Sequence, residues 1–177
     1  VQGGGGAAAV VQAAEGITPE ALQTLADLGG GEPVLTITGR RAAVLGLPRS
    51  LAKVVRVIPF GGVDAGLVRD LADPLSDLPV PPPMELEAID APPHGCDSAA
   101  VGLAKLARLL PAAVVVDLTA PDADDLAAWA LRHDLLMVDA GDIFQYEQTA
   151  ARTLRHLDWF EVTQVRGQVK DGSVEHF

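Results

Sequence analysis

A single cysteine, Cys96, stands among the 177 residues. An intrachain disulfide is therefore excluded, and no thiolate-rich metal site can be assembled within the chain; both fit a reducing compartment. Aromatic side chains are scarce too: four Phe, two Trp and one Tyr. Hydrophobic residues still make up 49% of the chain. The core must then be built from Ala, Val and Leu, whose small side chains let helices lie close against a sheet. Positive charge is in deficit, with 13 Lys and Arg against 24 Asp and Glu for a formal net charge of −11. An acidic surface repels phosphate backbones, so nucleic acid is not an expected partner, and a phosphorylated metabolite would need a local arginine cluster or a metal. No apolar run approaches the ~20 residues that span a bilayer, and no basic segment is followed by an apolar one as in a secretory leader. A cytoplasmic protein without membrane contact is expected. The chain opens on Val1 rather than Met and closes on Val174-Glu175-His176-Phe177, which reads as mid-strand text and suggests a fragment.

What is present alternates between strand and helix signals. Ala7 to Ala14 reads as a buried strand after the glycine run Gly3 to Gly6. Thr18-Pro19-Glu20 is a helix start: a capping hydroxyl, a proline at the first position and an acid facing the positive helix end. That helix should stop at Gly29-Gly30-Gly31. Val34 to Thr38 and Lys53 to Ile58 read as strands, Arg40 to Leu45 and Gly66 to Ala72 as short helices. Pro74 to Pro83 reads as an extended connector before a short strand, Met84 to Ile89. Asp97 to Leu110 should be an amphipathic helix, with Val101, Ala104, Leu106 and Leu109 on one face and Pro111 ending it. Ala113 to Leu118 and Leu135 to Asp139 are expected strands and Asp122 to His133 a helix. Helix follows from Ala140 to about Leu157, then strands at Glu161 to Val165 and Gly172 to Phe177. The pattern predicts one layered α/β (α+β) domain, a mixed sheet with helices on its faces.

Two stretches resemble the 3,4-dihydroxy-2-butanone-4-phosphate synthase family. The first holds Val10-Val11-Gln12-Ala13-Ala14-Glu15, Ile17-Thr18-Pro19-Glu20-Ala21, Arg41-Ala42 and Leu45-Gly46-Leu47-Pro48. The second runs from Gly95 to Tyr146 through Ala99-Ala100-Val101 and Pro111-Ala112-Ala113-Val114. Element order and spacing agree over residues 1–148. The resemblance implies that family's fold and, for an intact site, a magnesium-dependent rearrangement of ribulose 5-phosphate. In the family an acidic loop precedes the first strand, whereas Val1 to Ala8 here carries no charged side chain. A histidine ligand of the family aligns with Cys96, and a glutamate with Asp117; Asp97 stands at another site position. His94 would enter only with a shifted register. The implied site is degenerate, with Cys96, Asp117, His94 and Asp97 as its remnants and no metal held in this chain.

Phe160 to Phe177 resembles the opening hairpin of a GTP cyclohydrolase II domain in Glu161-Val162-Thr163 and Asp171 to Phe177. The resemblance implies that 149–177 is a linker and the start of such a domain, with zinc held further on by three cysteines and GTP as substrate of the parent protein. The expected role of 1–148 is then a non-catalytic accessory domain in riboflavin biosynthesis, bracing a cyclohydrolase and helping it form a homodimer. Two other readings stand beside it: a divergent synthase acting on ribulose 5-phosphate, and a metabolite-binding regulatory domain. Residual phosphate binding would fall to Arg40, Arg41 and Arg69. Each remnant also has a plainer role. Cys96 can be a small buried filler, His94 a loop residue between prolines and glycine, Asp117 a turn or cap, and Asp122, Asp124 and Asp125 acids at a helix start. Trp129, Trp159 and Phe144 are expected in packing.

Overall fold

The computed structural model describes residues 1–48, 52–118 and 126–150. The chain divides into two units, 1–144 and 145–177. Of the second, residues 145–150 are described and are helical. The expected strands at Glu161 to Val165 and Gly172 to Phe177, the acidic turn Asp122 to Asp125 and Trp159 lie outside the described residues.

Strand β1 (Ala9–Ala13) leads through a 3-10 turn into α1 (Pro19–Gly29). The helix starts where its capping text stands: the Ala21 amide donates to Thr18 Oγ1 at 3.2 Å, and Gly30 closes the helix at φ 71°. Then come β2 (Val34–Thr38), α2 (Gly39–Val44), β3 (Val54–Pro59), α3 (Ala65–Ala72), β4 (Leu86–Asp90), α4 (Cys96–Leu106), β5 (Ala112–Asp117) and α5 (Leu126–Arg132). Residues 140–144 are helical again. No described helix is long and apolar enough to cross a membrane.

The five strands lie in the order β1-β5-β2-β3-β4, and every neighbouring pair is antiparallel. The expected mixed sheet is therefore corrected to an antiparallel one. Thr38 at the end of β2 pairs with Val54 at the start of β3, so β3 begins beside the end of β2 and runs the other way.

Alternation along the strands separates two faces. Val10, Leu35, Ile37, Val55, Val57, Ala112, Val114 and Val116 point to the main core, which α1, α2 and α3 cover with Leu22, Leu25, Ala42, Val68 and Leu71. Ala9, Ala113 and Val115 point the other way, onto Cys96 and Ala100 of α4. That helix is buried more completely in its first two turns than the expected amphipathic pattern implies, and its exposed side begins only at Leu103 and Lys105. Cys96 to Gly102 and Ala104 are all buried, because Ala99 also packs against Ala140 and Ile143. Small residues on both sides allow this double approach. The helix ends before Leu109, which is half exposed. Arg108 turns to φ 60°, and the Leu109 amide donates back to the Ala104 carbonyl at 3.0 Å, a left-handed stop that removes Leu109 from the apolar face.

The expected strand at Leu135 to Asp139 does not form either. Asp139 alone makes an isolated bridge, to Gln2, and Leu136 and Met137 are exposed. The alternating apolar text has no neighbouring strand beyond Gln2, whose amide donates to the Val138 carbonyl at 3.0 Å.

Candidate functional site

The face of the sheet under α4 carries polar side chains among small ones. Thr36 of β2, Arg56 of β3 and Asp117 at the end of β5 stand at alternate positions from the core-facing Leu35, Val55, Val57 and Val116. Asp97 meets them from the first turn of α4. Arg56 lies between the two carboxylates. Its Nε donates to Asp97 Oδ1 at 2.8 Å and its Nη2 to Asp97 Oδ2 at 3.0 Å. On the other edge Nη1 donates to Asp117 Oδ2 and Nη2 to Asp117 Oδ1, both at 2.8 Å. The Thr36 hydroxyl adds a donor to Asp97 Oδ1 at 3.1 Å. The side chain of Asp97 is 4% exposed and that of Arg56 24%, while Asp117 reaches solvent at 61%. These bidentate contacts, led by the hydrogen bonds that Asp117 accepts, hold the Arg56 proton more tightly than in a free guanidinium.

Cys96 sits one residue before Asp97, under the glycine run. A Cβ on Gly3 would lie 3.1 Å from Cys96 Sγ, and Gly5 and Gly6 turn through φ 69° and 82°. Gly3 thus lies close on the cysteine because it has no side chain, whereas a Cβ on Gly4, Gly5 or Gly6 would meet nothing within 4 Å. Burial pushes the Cys96 thiol up, and the Asp97 and Asp117 carboxylates push the same way. A thiol held protonated in this way is a poor nucleophile. Folded protein should therefore react with a disulfide reagent at pH 8 at least ~10-fold more slowly than unfolded chain, a difference a thiol-release assay measures directly. The folded thiol is favoured while protonated, so its contribution is complete below the unfolded thiol's range and is lost as pH rises through the folded value.

His94 is exposed, its ring edge-on to Phe144 with centroids 5.2 Å apart. It joins none of the carboxylate contacts described for Arg56. The three arginines considered for phosphate are not brought together with Cys96 and Asp117. They stand on α2 and α3, across the sheet from α4. Arg41 is committed elsewhere: Nε donates to the Leu71 carbonyl at 2.7 Å, and Nη2 to those of Asp70 and Asp73 at 3.2 and 2.8 Å. The Asp70 and Asp73 carbonyls also accept from the Ser76 hydroxyl and amide, so it is the Leu71 carbonyl at the end of α3 that Arg41 caps. Arg69 Nε donates within its own helix to the Ala65 carbonyl at 3.2 Å, and Arg40 is exposed. Arg41→Ala should cost about 1–3 kcal/mol in denaturant unfolding by leaving the Leu71 carbonyl without its donor, while Arg40→Ala should cost under ~0.5 kcal/mol. Equal effects would remove the capping role.

Sequence reasoning named Asp97 and Asp117 but missed Arg56, and with it the group that joins them. An arginine at the centre of an apolar strand, Val54-Val55-Arg56-Val57-Ile58, was the available signal, since a half-buried cation there requires a counterion.

A second feature of this unit is an apolar cavity of about 410 Å³, lined among others by Val11, Leu103, Trp129, Leu135 and Met137. Among the described residues no three His, Cys, Asp or Glu side chains gather as a metal would need.

Comparison with known proteins agrees with this fold. The chain is 41% identical over 145 residues to GTP cyclohydrolase-2 of Azospirillum brasilense. The match takes in 81% of this chain and 37% of that protein, so the chain spans little more than a third of this relative's length. A 3,4-dihydroxy-2-butanone 4-phosphate synthase from Candida albicans superposes with a TM-score of 0.61 at 25% identity, over 78% of this chain and 83% of that one. The chain shares the fold of butanone-phosphate synthases. A synthase solved in complex with two magnesium ions has the same fold, with a TM-score of 0.62 at 20% identity over 82% of this chain and 87% of that one. A family model described as dodecin matches residues 147–177. It lies on the stretch that reads as a linker and cyclohydrolase hairpin and is a different likeness for the same residues.

Magnesium does not fit the described residues of the Asp97–Asp117 cleft. The ion takes hard oxygen ligands in near-octahedral array. Here all four oxygens of Asp97 and Asp117 face Arg56, Cys96 offers a protonated sulfur, and Val1 to Ala8 offers no carboxylate.

Proposed function

We propose that residues 1–148 are a non-catalytic accessory domain of a GTP cyclohydrolase II protein in riboflavin biosynthesis. The pathway assignment rests on the likeness to a protein of that name and to butanone-phosphate synthases. The accessory role rests on one observation: Arg56 neutralises the two carboxylates of the cleft, where a metal-dependent enolisation would require them free. In this reading the parent protein acts on GTP through a zinc-bearing domain that follows, and the synthase-like domain supplies packing surface and homodimer contacts.

The chain is expected to release no formate from ribulose 5-phosphate above a protein-free blank, with or without magnesium. Turnover abolished by Asp117→Asn would replace this reading with that of a divergent synthase, which the synthase-named neighbours favour. The regulatory alternative draws on the apolar cavity beside Trp129. Quenching of tryptophan fluorescence by a pathway metabolite, lost in Met137→Trp, would favour it.

Residues 149–177 are proposed as a linker and the start of the following domain. The dodecin likeness favours a second identity for them. Zinc content and GTP turnover of the full-length protein separate the two: a cyclohydrolase continuation carries both, and a dodecin-like one neither.

A further inference from the structure

We propose that Arg56 is the resident cation of the Asp97–Asp117 cleft, holding the place between the carboxylates that a divalent ion would have to enter, so that this cleft takes up no magnesium. The inference deepens the accessory reading and rests on it.

The geometry carries the assignment. A guanidinium has five N–H donors in a fixed plane. Four of them are spent on four different carboxylate oxygens, two on each aspartate. This leaves no oxygen of either group free of the cation. Thr36 adds a further donor on Asp97. A magnesium ion entering between the carboxylates would have to break two bidentate pairs and would face a fixed positive charge at contact distance. The pairing also does the mechanical work of a bridging ion, because β3, α4 and β5 are tied through one side chain. No buried side-chain polar atom among the described residues lacks a partner, so the cleft is complete as it stands.

Manganese serves as the probe because its free-ion paramagnetic signal falls on binding. The chain as it exists should leave that signal unchanged relative to Asp117→Asn, and magnesium should not raise its melting temperature. In Arg56→Met the melting temperature should fall by roughly 5–10 °C, as a buried carboxylate loses its counterion. Added magnesium should then recover part of the loss, with manganese bound in a form that the additional substitution Asp117→Asn abolishes. Should Arg56→Met fail to fold, Arg56→Lys reads the same effect, because an ammonium cannot bridge both carboxylates in bidentate fashion.

Three results would overturn the proposal: manganese bound by the unaltered chain and released by Asp117→Asn, an Arg56→Met protein as stable as the parent, or one that is destabilised yet indifferent to divalent ions. Metal occupancy is read here without substrate. Turnover of ribulose 5-phosphate with no bound manganese would therefore sink the accessory reading while leaving the role of Arg56 intact.

Discussion

Asp97→Ala is expected to lower the unfolding free energy by about 3 kcal/mol, the low end of what breaking a buried ion pair costs. The carboxylate accepts three hydrogen bonds, one from Thr36 and two from Arg56. Removing it leaves a buried hydroxyl without its acceptor and a guanidinium with one partner. Arg56 keeps Asp117 and some contact with water, which is why the loss should not reach the top of the range. Asp117→Ala removes the same number of Arg56 contacts, yet it should cost only ~0.5–1 kcal/mol, because its carboxylate is mostly solvated and its pairing is screened. Chemical denaturation of the two variants side by side makes the comparison. Salt sharpens it: raising ionic strength should erode the Asp117 contribution and leave that of Asp97 nearly unchanged. Equal and small losses would mean that α4 is held by its apolar contacts alone.

A substitution at Gly29 should be comparably severe for a steric reason. Gly29 is buried at the last turn of α1, where an added Cβ would overlap the side chain of Val116 on β5. Gly29→Val must push helix and sheet apart in the main core, an overpacking cost of roughly 3 kcal/mol. Neighbouring glycines provide the controls. Gly30 holds φ 71° with no atom within 4 Å of a built Cβ, so Gly30→Ala should cost about 1 kcal/mol from backbone strain alone. Gly16 has neither a positive φ nor a neighbour within 4 Å. Gly16→Ala should be neutral or stabilising by ~0.5 kcal/mol, since it restricts the unfolded chain. A melting series in the order Gly16, Gly30, Gly29 would establish that close packing, rather than the glycine run as such, sets the requirement at Gly29.

Several elements were legible because their signals are local. Thr18 and Pro19 start α1 where the capping text stands, Gly30 ends it, and the apolar text of 34–38 and 113–117 forms strands. The likeness to the synthase fold was legible in the same way, as an order of such elements. Strand direction was not legible, because it depends on where each connection returns the chain to the sheet, and no local signal in the sequence carries that. Nor was the burial of α4. Its sequence matches a surface helix in Lys105 and Leu109, but contact with Ala140 and Ile143 on its far side buries it from Cys96 to Gly102. Leu135 to Asp139 has strand-like alternation and lacks a partner strand, and pairing is a property of two segments.

The site divides along the same line. Sequence alone determined which residue types stand at the family's positions: Cys96 for histidine, Asp117 for glutamate, and Gly3 to Gly6 for an acidic loop. Those identities suffice to place the metal chemistry in question. Only the tertiary structure decided what the remaining carboxylates do instead. Arg56 is 41 residues from Asp97 and 61 from Asp117 in the chain. No periodicity or motif links them; the antiparallel order places β3 near β5 with one strand between, and α4 lies across both. Charge pairing at that separation is set by the fold that closes the distance, because a guanidinium discriminates partners only within the few ångströms of a hydrogen bond.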